Sequence, residues 1–88
     1  SDLHDAYRIQ FIREHLQQMR LAITDGVQIL GYCPWAAIDV VSTHQGYRKR
    51  YGFIYVDREE FDLKELKRFR KDSFYWYANV ILENGQNL

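Results

Sequence analysis

A chain of 88 residues has room for one domain and no second independent core, since chains this short bury only about 60–65% of the surface they expose when unfolded. Twelve basic side chains balance twelve acidic ones and the pI is near 6.8, which speaks against a general nucleic-acid or membrane binder, whose footprint is a large basic excess. Cys33 is the single cysteine, so an internal disulfide is excluded and a reducing compartment, by default the cytoplasm, is expected.

No stretch approaches the roughly 20 apolar residues of a spanning helix, and no basic segment followed by an apolar one opens the chain, so neither a membrane span nor secretion is expected. The chain begins at Ser1 rather than Met, and is expected to be a piece of something longer.

From Asp5 to Thr24, Ile9, Ile12, Leu16, Met19 and Ile23 recur at spacings of three and four, which predicts a helix with one buried face. Asp2 and Asp5 lie near its start, where the helix dipole favours anions, and Gly26 is a candidate for the left-handed position past its end. "VQILGYCPW", residues 27 to 35, is nearly continuously apolar and reads as a strand covered on both faces in a parallel sheet. Cys33 within it is then expected to be packed and inert.

"STHQGYRKRYGF", residues 42 to 53, sets Arg48, Lys49 and Arg50 between Tyr47 and Tyr51 in a chain without net charge, so any anion it binds must be local. Taken alone, such a loop is more often a solvated charged face than a ligand site. "GFIYV", residues 52 to 56, is β-branched and aromatic and predicts a second short strand. "DREEFDLKELKRFRKD" has little period and reads as a connection with one helical turn at most. Ser73 is placed to cap a last helix whose apolar stripe is Phe74, Tyr77, Ala78, Ile81 and Leu82, with Gly85 as its stop. About half of "SFYWY" is expected in the core rather than available for stacking on nucleic-acid bases. His4 and His15 read as surface positions, and no His, Cys or carboxylate cluster has the spacing of a metal site.

The stretch "DGVQILGYCPWAAIDVVSTHQGYRKRYGFIYVD" resembles the C-terminal part of family 1 glycoside hydrolases, which are (β/α)8 barrels. In that family a segment G-Y-x-x-W-S-L-L-D-N-F-E-W-x-x-G-Y-x-x-R-F-G runs through the eighth strand and the loop after it. Gly31, Tyr32, Trp35, Asp39, Gly46, Tyr47, Arg50 and Gly52 match it without a gap, and Tyr51 replaces Phe. "YRIQFIREHLQQMRLAITDGV" is similar to the helix before that strand and "RKDSFYWYANVILENGQNL" to the closing helix. The resemblance thus implies an α/β fold class, the C-terminal piece of a TIM barrel: helix, strand eight, long loop with a short extended segment, closing helix. Residues 1–88 would form that single fragment, with no internal boundary.

Ser42 stands where β-glucosidases of the family carry a glutamate that bonds sugar hydroxyls. Together with Lys49 and Tyr51 it resembles the phosphate site of the 6-phospho-β-glycosidase branch. A glutamate would repel a sugar phosphate, whereas a serine hydroxyl, an ammonium and a phenol each donate a hydrogen bond to its oxygens. Trp35 resembles the tryptophan on which the glycone ring packs, and family members often have a non-proline cis peptide after it; here Ala36 replaces the usual Ser. Thr43, where relatives that tolerate galactosides carry tryptophan, leans towards gluco-configured substrates. Arg48 and Arg50 are left without a role, and His44 in the same loop is expected to be exposed.

The family retains anomeric configuration, using one carboxylic acid and one nucleophilic carboxylate about 5–5.5 Å apart. Its N-E-P and T-E-N-G motifs are absent from this chain, so no catalytic residue is assigned here. Glu83 in "ILENGQNL" follows an apolar helical stripe with no threonine before it, and reads as a helix end rather than the nucleophile. The resemblance implies the C-terminal part of a 6-phospho-β-glucosidase that takes a phosphorylated β-glucoside, needs no cofactor or metal, and contributes Trp35, Ser42, Lys49 and Tyr51 to substrate binding. Other readings stay open: a piece of a β-glucosidase or 6-phospho-β-galactosidase, or a small anion- or nucleic-acid-binding module. The isolated chain is expected to be inactive, and to self-associate through faces meant for the rest of the barrel.

Overall fold

The computed structural model describes residues 3–40, 50–59, 61–86 and 88. Among them lie helix α1 (Ala6–Thr24), strand β1 (Ile54–Val56), strand β2 (Arg68–Arg70) and helix α2 (Asp72–Leu82). The two helices run parallel, because Asp5 meets Ser73 at one end of the pair and Arg20 bonds the Gly85 carbonyl at the other.

Helix α1 forms where the spacing predicts it, and Ile12 and Leu16 on its stripe are buried. They pack with Phe53 and Val80, and Met19, Tyr32, Phe74, Trp76 and Tyr77 lie around them. The α1 end is closed by the N–H of Val27 bonding the Ala22 carbonyl and that of Gly26 bonding Ile23, with Gly26 at φ +99°, a conformation open to glycine at little cost. Asn84, at φ +53°, takes the same place after α2, so Glu83 is a helix end, as its sequence context implied.

Several expectations are corrected. Residues 27–34 form no strand and are mostly exposed, with Leu30 fully so and Cys33 exposed rather than packed. A parallel strand takes its hydrogen bonds and its cover from neighbours on both sides, and among the described residues no strand lies beside this one. The charged connection contains β2, which pairs antiparallel with β1 in the register Ile54 to Arg70 and Val56 to Arg68. Its residues are all exposed, and charge of this kind suits an edge strand while hiding it from a hydrophobic pattern.

Ser73 does not cap α2, whose N-cap is Lys71. Asp5 satisfies that helix start instead, accepting from the Ser73 N–H at 2.9 Å and from its Oγ at 2.5 Å, with both residues buried. Asp5 consequently makes no side-chain cap on α1, where the dipole argument had put it. The α2 stripe is also rotated from the expected one. Val80 is its buried apolar residue, whereas Ala78, Ile81 and Leu82 are exposed, because α2 turns its 73, 77 and 80 side towards α1 and Phe53. Phe74 and Tyr77 are half-buried as expected.

Candidate functional site

Two extended segments on either side of residues 41–49 lie together in parallel. The Ala36 N–H donates to Tyr51 O at 3.0 Å and Phe53 N–H to Ala36 O at 3.0 Å; further along, Ile54 bonds Ala37 and Asp39 bonds Ile54. This contact needs Gly52, since a Cβ there would lie 2.2 Å from the backbone of Ile38 and Asp39. Phe53, the next residue, stacks on Tyr77 at 5.1 Å and locks the segment into the helix core. Trp35 and Tyr51 therefore sit at the same end of the pair, with Trp35 68% exposed and Tyr51 half-buried. The Trp35–Ala36 peptide is cis, as the resemblance implied despite the Ala.

Beneath them is Arg8, on the buried side of α1 in phase with Ile12 and Leu16. Its guanidinium donates to the Trp35 carbonyl at 3.1 Å and to the Arg50 carbonyl at 3.4 Å, lies 5.7 Å from the Phe53 ring centre, and has Asp5 at 3.8 Å. Burial lowers the Arg8 pKa, opposed by the nearby anionic forms of Tyr7, Asp5, Asp39 and Tyr51.

Asp39 is the second anchor. Its fully buried carboxylate accepts from Lys71 Nζ at 2.7 Å, from the Gly52 N–H at 3.0 Å, and from Arg50 and the Val56 N–H at 3.4 Å each. Arg50 also donates to the carbonyls of Val56 at 2.7 Å and Arg58 at 2.5 Å, and lies over the Tyr55 ring. This gives Arg50 a structural occupation: its donors hold backbone and Asp39.

Of the four residues expected to bind substrate, Trp35 and Tyr51 are brought together by this framework, while Ser42 and Lys49 lie outside the described residues, as do Thr43, His44 and Arg48. Sequence reasoning missed Arg8, Asp39 as a hub, and Lys71. Arg8 was signalled only by its four-residue spacing to Ile12, which is easily dismissed for a charged side chain. His4 and His15 are exposed as expected. Among the described residues no group of three His, Cys, Asp or Glu side chains could hold a metal ion, and no helix is long and apolar enough to cross a membrane.

The family described as Glycosyl hydrolase family 1 matches residues 1–86. The chain belongs to glycosyl hydrolase family 1. Among relatives in this family, the chain is 52% identical over 86 residues to Aryl-phospho-beta-D-glucosidase BglC of Bacillus subtilis (strain 168), covering 98% of itself and 18% of that protein. It is 47% identical over 89 residues to 6-phospho-beta-glucosidase AscB of Escherichia coli (strain K12), covering 100% of itself and 19% of the relative. A family 1 β-glucosidase from Thermotoga maritima superposes with a TM-score of 0.83 at 41% identity, over 93% of this chain and 17% of that one. The chain thus spans less than one fifth of the length of these family 1 proteins. Its α/β fold is that of a portion of a family 1 β-glucosidase.

Proposed function

We propose that this chain is the C-terminal part of a retaining 6-phospho-β-glucosidase, which hydrolyses 6-phospho-β-D-glucosides to glucose 6-phosphate and an aglycone. The observation that carries the reading is Ser42 in place of the family's glutamate, followed by Lys49 and Tyr51. The names of the relatives at about half identity support it. Trp35 offers an exposed aromatic face to the glycone ring, and the carbons of a sugar face pack on such a surface while its hydroxyls stay free to bond. Ser42, Lys49 and Tyr51 bind the 6-phosphate through donated hydrogen bonds, Lys49 adding opposite charge.

The carboxylic acid that protonates the leaving group and the carboxylate that attacks the anomeric carbon come from parts of the parent outside this chain. The isolated chain accordingly has no turnover. The commitment of Arg50 to Val56, Arg58 and Asp39 supports assigning the phosphate to Lys49 rather than to its neighbour. A cytoplasmic location belongs to the same reading, since a sugar phosphate carries between one and two negative charges at neutral pH and does not cross a bilayer unaided.

The test is hydrolysis of a chromogenic β-glucoside with and without a 6-phosphate by the full-length enzyme and its Lys49→Ala variant. A strong preference for the phosphorylated substrate, lost in the variant, is expected. Equal or better hydrolysis of the unphosphorylated sugar would favour the second reading, a β-glucosidase, which the likeness to the Thermotoga maritima enzyme keeps in view.

A further inference from the structure

We infer that Arg8 is a positioning residue that holds one limb of the proposed site, the Trp35 platform, in fixed relation to the other, the backbone at Arg50 and Tyr51; the inference rests on the functional reading above. The two carbonyls its guanidinium bonds belong to Trp35, the platform itself, and to Arg50, the residue between Lys49 and Tyr51. The residues that follow these carbonyls are joined directly, Ala36 N–H to Tyr51 O. One planar cation thereby bonds both limbs, through a 3.1 Å contact at Trp35 and a longer 3.4 Å contact at Arg50, and a rigid fork suits two acceptors held side by side.

A purely stabilising role explains the arrangement poorly. Arg8 is 8% exposed, its charge is removed from water, and its buried Nε has no hydrogen-bond partner among the described residues, Asp5 being 3.8 Å away. An apolar side chain in phase with Ile12 and Leu16 would avoid the cost of burying that charge, and it would hold neither carbonyl. A lysine would keep the charge but has no rigid fork with which to span the two.

A phosphorylated substrate is gripped at ring and phosphate together, so it feels any change in the distance between the limbs. An unphosphorylated glucoside uses the platform alone. Loss of Arg8 therefore penalises the phosphorylated substrate more.

The experiment measures kcat and KM per folded molecule for 6-phospho- and unphosphorylated β-glucosides, with the full-length enzyme, Arg8→Met and Arg8→Lys. In both variants the phosphorylated-to-unphosphorylated ratio of kcat/KM is expected to fall about tenfold, chiefly through KM for the phosphorylated substrate. If Tm falls and the ratio is unchanged, Arg8 only stabilises the fold and the inference is overturned. If Arg8→Met does not fold, Arg8→Lys decides by the same ratio. If the wild type shows no preference for phosphate, it is the functional reading that has failed. Arg8 is then judged on the unphosphorylated glucoside, where a raised KM at unchanged kcat upholds its positioning of Trp35 and an unchanged KM overturns it.

Discussion

The ammonium of Lys71 lies 2.7 Å from the carboxylate of Asp39, and both side chains are buried. Lys71 immediately precedes α2, and Asp39 ends the segment that pairs with residues 51–54, so the ion pair ties the last helix to the floor of the proposed site. Arg50 and two backbone amides complete the ring of donors around Asp39.

Removing one partner of such a pair leaves an uncompensated buried charge, which costs about 3–5 kcal/mol. Lys71→Met in the full-length enzyme is expected to lower the unfolding free energy obtained from urea titration by an amount in that range. A loss below about 1 kcal/mol would mean that Arg50 and the amides suffice to hold Asp39.

The cap that Asp5 places on α2 predicts a different signature. Asp5→Ala leaves the Ser73 N–H and Oγ without their partner and is expected to cost about 1–2 kcal/mol. Amide hydrogen exchange should quicken in the first turn of α2, although the substitution is before α1. Faster exchange confined to α1 would contradict the assignment.

Burial raises the pKa of Tyr32 and Tyr77 above the ordinary value of 10.0, in Tyr77 with smaller contributions from Tyr32 and Cys33. Each folded phenol holds its proton more tightly than the unfolded one. The resulting stability is complete below pH about 10 and is lost as pH rises through the folded-state values. Urea midpoints followed from about pH 8 to pH 11 should fall less steeply for Tyr77→Phe than for the wild type. Equal slopes would remove Tyr77 from the account.

The exposed apolar side chains Tyr7 and Phe11 on α1, Leu30, and Tyr75, Ile81 and Leu82 on α2 lead us to expect that the isolated chain associates with itself. Sedimentation velocity across a concentration series should show species larger than a monomer. A well-folded chain that stays strictly monomeric at high concentration would refute this.

Both helices and β1 were legible in the sequence because their signals are local: three- and four-residue spacing, a glycine past Thr24, a β-branched run. Residues 27–34 misled because an apolar run specifies burial without supplying the neighbours that provide it. β2 was hidden by the charges of Lys67, Arg68 and Arg70. The Ser73 cap failed for a related reason, since an orphaned amide takes the best acceptor in space, and here that acceptor is 68 residues away. Trp35 and Tyr51 were singled out only by resemblance. Arg8 and Lys71 were not, because a long cationic side chain reads as surface until the carbonyls and carboxylate it meets are known.

The reach of Asp5 across to Ser73 also bears on how segments can be exchanged between family members. A chimaera that takes α2 from one family member and α1 from another separates a helix start from the acceptor that completes it. Crossover points placed before Asp5 keep the two together, and those placed between the helices require a matching acid in the recipient. The smallest transplantable unit that contains α2 is set by that one carboxylate rather than by the boundary of any helix.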